Sequence, residues 1–197
     1  MVHVSLTRLF DFLAKGQPLQ PSDCIFVFAG KPERKIHGLW LWRQGLAKAL
    51  ILSVGRFEWR KFPELGLPED GGLRRLVEAT APAERHFFVT LSGAGASCVR
   101  VAKRPLGTRS EALALREAVD REGYGSVLVV STSVHLRRAT LTLRRIFRDR
   151  PVEFTFVAVP EERSSVRRAD WWKSARSRNL VIPELLKLGC YWLFVRR

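Results

Sequence analysis

Residues 126–147 read SVLVVSTSVHLRRATLTLRRIF. The first part is a continuous apolar run, Val127 to Val130. The last part places Leu136, Leu143 and Ile146 at roughly helical spacing, with arginines on the other face. Between them lie three hydroxyl residues, Ser131, Thr132 and Ser133, with His135 just beyond. A plain connector would use Gly, Pro or Asn. An unbroken apolar run reads as a strand buried on both faces, as in a parallel sheet covered by helices. The stretch is therefore one strand-to-helix unit of an α/β fold.

The same unit recurs along the chain. Strand-like runs are CIFVFA (24–29), ALILSV (49–54), HFFVTL (86–91), SVLVVST (126–132) and VEFTFVAV (152–159). Helical stretches lie between them. PERKIHGLWLWRQG (32–45) has Pro near its start and Gly at its end. TRSEALALREAVDREG (108–123) has Thr108 three residues before Glu111, a capping-box spacing, and Gly123 where a C-cap glycine belongs. The alternation predicts a three-layer α/β/α Rossmann-like sandwich with a mainly parallel sheet. The middle, 56–107, is less regular. EWRKFPELGLPEDGG reads as a loop over a binding edge, SGAGAS as a turn, and SCVRVAKR as a further strand. No helix pattern follows SGAGAS, so it is not a dinucleotide fingerprint.

The chain of 197 residues suits a single domain: an N-terminal helix and linker over 1–21, a sheet core over 22–178, and a C-terminal packing helix over 179–197. SLTRLFDFLA reads as an amphipathic opening helix, not a signal peptide, because Arg8 and Asp11 break its apolar pattern. LVIPELLKLGCYWLFVRR is interrupted by Pro183, Glu184, Lys187 and Gly189. It falls short of the roughly 18–20 apolar residues of a spanning helix. It reads as a helix packed on the sheet through Trp192 and Phe194, or as one lying on a membrane surface. Cys24, Cys98 and Cys190 have no metal-ligand spacing and read as small buried thiols with no disulfide partner. The expected setting is cytoplasmic, with membrane association left open.

A net charge of +15 points toward anionic partners. In open α/β sheets ligands bind beyond the carboxyl ends of the strands. The polar residues predicted there are Gly30 and Arg34 after the first strand, Ser53 and Gly55 after the second, Thr108 and Ser110 opening a helix, and Ser131, Ser133, His135 and Arg138 after the fourth strand. Gly30 and Gly55 leave room for an approach to the backbone. Helix N-termini, hydroxyls and guanidinium groups complete a phosphate or carboxylate site. His135 is the candidate general acid or base near neutral pH. Each feature also has a plainer reading. The hydroxyls serve as caps and turn formers, Thr108 as a cap, Glu111 as the closing member of the capping box, and His135 as a cap or surface residue. His3, His37 and His86 read as structural, and Arg144, Arg145 and Arg148 as a solvated face. No carboxylate cluster suggests a tightly held metal.

Four pieces, FVFAGKPER, LILSVG, LGTRSEA and STSVHLRRA, together with Trp172, Arg176, Glu184 and Lys187 near the end, resemble the bacterial YdcF/SanA/ElyC-like family, a domain of unknown function. The resemblance runs from about residue 22 to 190, and STSVHLRRA is its most specific piece. It implies a Rossmann-like fold, a link to cell-envelope biogenesis, and S-adenosylmethionine as a candidate cofactor. The matching polar positions are Gly30, Arg34, Ser53, Gly55, Thr108, Glu111, Ser131, His135 and Arg138. The chain departs from the pattern at Ala29, where a glycine is usual, at Val54, which splits the Ser-Gly pair, and at Ala112, where an asparagine is usual.

The leading functional expectation is a domain binding a small phosphorylated or nucleotide-like anion at the strand ends. Two alternatives accompany it. From Arg137 to Arg178 there are 12 Lys and Arg against 5 Asp and Glu, with Trp171 and Trp172 among them, a pattern suited to nucleic acid. Arg196 and Arg197 end an aromatic stretch suited to anionic lipid.

Overall fold

The computed structural model describes residues 2–67, 70–103 and 106–194. In chain order the elements are α1 (Val2–Leu13), β1 (Cys24–Val27), α2 (Pro32–Arg43), β2 (Ala49–Val54), a 3₁₀ helix (Glu58–Leu65), α3 (Leu73–Glu78), β3 (Phe87–Ser92), β4 (Gly95–Arg100), α4 (Gly107–Glu122), β5 (Ser126–Ser131), α5 (Ser133–Ile146), β6 (Glu153–Ala158) and α6 (Ala175–Phe194). One six-stranded sheet runs in the order β4-β3-β2-β1-β5-β6. The four strands β2, β1, β5 and β6 are parallel, and the β3–β4 hairpin adds two antiparallel strands at one edge. The fold is the expected α/β sandwich of Rossmann-like type.

The apolar runs form the centre because nothing else in the chain tolerates burial on both faces. Every residue of β1 and β2 is buried, whereas most of edge strand β4 is exposed. On one face, Leu39 and Leu41 of α2 pack on Ile25, Val27, Leu50, Leu52, Leu128 and Val130. On the other, Leu115 of α4 and Leu136 and Leu143 of α5 pack on Phe26, Phe28, Val127, Val129 and Phe156. A third cluster, with Phe10, Leu13, Val134, Trp171 and Val181, seats α1 and α6 against α5. Gln17, after α1, exchanges hydrogen bonds with Phe156 through its backbone N–H (2.8 Å) and its side-chain oxygen (2.9 Å), so the outer edge of β6 is covered.

The chain leaves β1 through α2 toward β2 on one side. It leaves β5, on the other flank of β1, through α5 toward β6. The direction of crossing therefore reverses between β1 and β5, and their carboxyl ends open a crevice there.

Four sequence expectations change. SCVRVAKR contributes to an antiparallel edge strand beginning earlier, at Gly95. EWRKFPEL is a 3₁₀ helix, not an open loop. Cys24 is buried, but Cys98 is half-buried and Cys190 exposed, because Cys190 falls on the outer side of α6. Trp171 is buried, with its indole N–H donated to the Leu6 carbonyl (3.2 Å), so it offers no face to a base. Arg196, Arg197 and the side chains of His3, Trp192 and Phe194 lie outside the described residues.

The ring of Phe26 meets Phe28 and Phe88 edge-on at 4.8 and 5.4 Å, with no solvent exposure. Phe26→Ala is expected to cost about 3–5 kcal/mol in urea denaturation, the range for deleting a fully buried ring. Val99→Thr on the exposed edge strand should change stability by less than about 0.5 kcal/mol.

Candidate functional site

The crevice between β1 and β5 opens into a cavity of about 800 Å³. Its floor is built from the ends of these strands and from the first turns of α2, α4 and α5. Its walls are the 3₁₀ helix, through Phe57, Glu58, Lys61, Phe62 and Leu65, and α6, through Leu180, Glu184, Lys187 and Tyr191.

Three helices begin here, and none is capped by a side chain. The N-cap positions are Lys31 for α2, Leu106 for α4 and Thr132 for α5. Their amino-terminal N–H groups and dipoles favour negative charge. Leu106 is the one non-glycine with positive φ among the described residues (φ 68°, ψ 83°). A leucine held there carries strain of about 1–3 kcal/mol, a cost that concentrates at functional sites.

Arg34 is at the centre. Its guanidinium donates to the Ala29 carbonyl through Nη1 (2.6 Å) and to Thr132 Oγ1 through Nη2 (2.7 Å). The residue is 8% exposed, and its Nε has no acceptor among the described residues. Burial lowers its pKa, against the raising effect of Glu111, Glu184 and Glu58. Gly30, at φ 133°, makes this placement possible: a Cβ there would lie 2.8 Å from Arg34 Nη1. The room expected at Gly30 is thus filled by the protein's own guanidinium. At Gly55 a Cβ would lie 2.6 Å from Glu58 Oε1, so that space too is occupied, by a carboxylate.

His135 stands opposite. Its Nδ1 pairs with Ser131 Oγ (2.8 Å) and its Nε2 with Thr108 Oγ1 (3.4 Å). Burial, then the positive charges of Arg34 and Arg138, hold its pKa well below the ordinary value. In this environment the neutral imidazole is favoured. Arg138 donates to Thr108 Oγ1 through Nη1. It also forms a bidentate pair with Glu184, Nε and Nη2 each 2.9 Å from a carboxylate oxygen. Burial raises the Glu184 pKa, but the Arg138 hydrogen bonds and charge outweigh it, and the net shift is downward.

Thr108 is not a cap. Helix α4 starts one residue earlier, at Gly107, so Thr108 lies inside the first turn with its hydroxyl on Arg138 and His135. Glu111 therefore closes no capping box. Its Oε1 accepts the Ala29 N–H (2.7 Å), and the Ser53 hydroxyl donates to the same carboxylate. Ser53 Oγ also pairs with His86 Nε2 (2.8 Å), which gives that histidine a partner at the rim of the site. Lys35 and Glu58 form a second ion pair beside it, and Glu58 Oε1 accepts the Gly30 N–H (2.8 Å).

Of the residues singled out in the sequence, Gly30, Arg34, Thr108, His135 and Arg138 line the cavity. Ser131 is buried behind His135. Ser53 belongs to the Glu111 network, Ser110 is buried in the first turn of α4, and Ser133 opens α5 half-buried, outside the lining. The residues not singled out are Lys31, Lys35, Glu58, Lys61 and Tyr191, together with Glu111 as more than a cap. Lys31 and Lys35 lie one and five positions after Gly30, on the turn already in view and in the first turn of α2. Glu58 carried no signal, because its partners are brought to it by the fold alone.

The cavity is lined by six cationic side chains and three carboxylates. Each carboxylate is committed: Glu58 to Lys35, Glu111 to Ala29 and Ser53, Glu184 to Arg138. Comparison of the chain with family models, with curated proteins and with solved structures gives no match.

Burial pushes the Glu111 carboxyl up to about 7, against the lowering pull of Ser53, Ala29 and Arg34. Its ordinary value is near 4.5, so between these pH values the folded chain holds a proton that the unfolded chain has released. Stability then falls as pH rises through that window. The difference in unfolding free energy between the natural protein and Glu111→Gln should fall across it by up to about 1.4 kcal/mol per pH unit and be flat at lower pH. Urea denaturation at a series of pH values checks this; a level difference curve would place the titration elsewhere.

Proposed function

We propose that the chain is a YdcF-like domain that binds a small phosphorylated or nucleotide-like anion at the carboxyl ends of β1 and β5. The carrying observation is Arg34. A buried guanidinium with two neutral acceptors and an idle Nε is a costly arrangement that an arriving anion relieves. Three uncapped helix starts point the same way. Lys31 and Lys61 at the rim add further positive charge.

The cavity is larger than a lone phosphate needs, and its walls carry the apolar side chains Phe57, Phe62, Leu65 and Leu180. This favours a ligand with an anionic end and an apolar or aromatic body. Arg34 suits a carboxylate as well as a phosphate, so S-adenosylmethionine, which the family resemblance brings forward, remains in the set of ligands. A link to cell-envelope biogenesis rests on that resemblance alone.

His135 is the acid–base group of the site. A bound anion supplies the charge that Arg34 and Arg138 oppose, so binding raises the imidazole pKa and draws a proton to it. Its position between two hydroxyls fixes the ring to receive that proton.

Calorimetric titration with adenine nucleotides, S-adenosylmethionine and a polyprenyl phosphate tests the proposal. Arg34→Gln should weaken any ligand bound by about 1.5–3 kcal/mol, roughly 10- to 150-fold, the range for a hydrogen bond to a charged group. His135→Ala should reduce the proton uptake that accompanies binding, seen as a weaker dependence on buffer ionisation, and leave the share taken up by Glu111. Unchanged affinity in folded Arg34→Gln would dismiss the site.

A further inference from the structure

A second basic surface lies on the far side of α6. A groove of about 1030 Å³ runs between α1, α5 and α6. Its rim carries Lys15, Arg137, Arg144, Arg145 and Arg148, and among the described residues no carboxylate lines it. Nearby cations are arranged differently. Arg116 is paired with Asp149, Arg150 with Asp120, Arg168 with Asp11, and Arg138 with Glu184. Among the described residues, none of the five rim cations has such a partner; Arg137 instead lies over the ring of Phe12, 4.0 Å from its centre.

The floor is apolar, through Phe12, Leu141, Leu185 and Leu188. Apolar side chains continue onto the open surface: Phe12 is 46% exposed, Ile182 46% and Leu186 68%. By helical spacing, Ile182 and Leu186 flank Leu185 on the outer side of α6. An uncompensated cationic row bordering exposed aliphatic side chains is the composition of a surface that rests in the headgroup layer.

We infer that the α1–α5–α6 face docks the protein on an anionic phospholipid bilayer, with Arg137, Arg144, Arg145 and Arg148 among the phosphates and Ile182 and Leu186 in the acyl boundary. Nucleic acid fits this face less well. Base stacking needs open aromatic faces, and here the exposed aromatic, Phe12, is covered by Arg137, while the other aromatic side chains of the groove, Phe156 and Tyr191, are buried. Arginines suit the bilayer because their stems cover apolar surface while their heads stay in the polar layer. Among the described residues no helix is long and apolar enough to cross a membrane, so the contact is peripheral. The inference does not rest on the ligand assigned to the cavity, which α6 also lines, through Leu180, Glu184, Lys187 and the shared Tyr191.

Cosedimentation with vesicles tests this, using phosphatidylcholine alone and phosphatidylcholine mixed with phosphatidylglycerol. The natural protein should bind only the mixed vesicles and be released by salt. The triple variant Arg144→Glu/Arg145→Glu/Arg148→Glu should lose roughly tenfold or more in binding. Arg43→Glu/Lys48→Glu/Arg75→Glu, an equal change of charge at exposed positions elsewhere, should keep it. Ile182→Ser/Leu186→Ser should weaken binding without changing its salt dependence. Melting curves establish that each variant is folded. Equal losses in the two charge variants, equal binding to phosphatidylcholine alone, or no binding would overturn the inference. So would retention of a short nucleic-acid duplex, but not vesicles, through the groove arginines.

Discussion

The guanidinium of Arg34 is the constraint on which the site depends. It reaches from α2, on one face of the sheet, across the ends of β1 and β5 to Thr132 at the start of α5 on the opposite face. It therefore ties the two layers at the point where the strand order reverses. A charge in that position is expensive, because the low-dielectric surroundings strip its water and the direct partners are neutral dipoles. Glu111, Glu184 and Glu58 offset part of the cost from a distance. The arrangement is stable because those carboxylates are themselves pinned to other groups and cannot close on Arg34. Glu111 is held by Ala29 and Ser53, Glu58 by Lys35 and Gly30, and Glu184 by Arg138. The residual positive potential is directed into the cavity.

That partition also sets the protonation of the neighbours. Two buried carboxyls in similar surroundings go opposite ways. Glu184 faces a bidentate arginine and stays ionised, while Glu111 has hydrogen-bond donors but no direct cation, and burial prevails. His135, between two guanidiniums, is neutral for the converse reason. A dianion entering the cavity changes all three balances in one direction, toward protonation. Ligand binding and proton uptake are thus linked through the same charges, whichever ligand it is.

Much of this architecture was legible in the sequence. Unbroken apolar runs, the helix pattern ending at Gly123, and the general rule about strand ends were enough to locate Arg34, Thr108, His135 and Arg138 at one place. What could not be read were contacts that depend on where a helix starts or on distant pairing. Thr108 and Glu111 have the spacing of a capping box, yet the N-cap is Leu106, two residues before Thr108, and that offset turns both side chains inward. Glu58, 28 residues from the Gly30 N–H it accepts, gives no local sign of it. His86 has no partner in sequence because Ser53 lies on a neighbouring antiparallel strand. Trp171 sits among basic residues and reads as exposed, but the fold needs a large ring where α1 meets α6.

The C-terminal helix belongs to both surfaces. Tyr191 lines the cavity and the arginine groove alike, and Arg138, which is held to Glu184 and lies 5.2 Å from the Tyr191 ring, is adjacent in sequence to Arg137 on the groove side. Any displacement of α6 must strain the Arg138–Glu184 pair, which is nearly buried: Glu184 keeps Lys187, on the same helix and 3.2 Å away, but Arg138 has no other carboxylate partner among the described residues. The cost of breaking such a pair is the desolvated charge left behind, not the attraction lost. A bilayer holding the outer side of α6 would therefore stiffen the wall of the cavity through that pair. The two sites would be coupled by as much as the bilayer prefers one position of the helix over another, and no more.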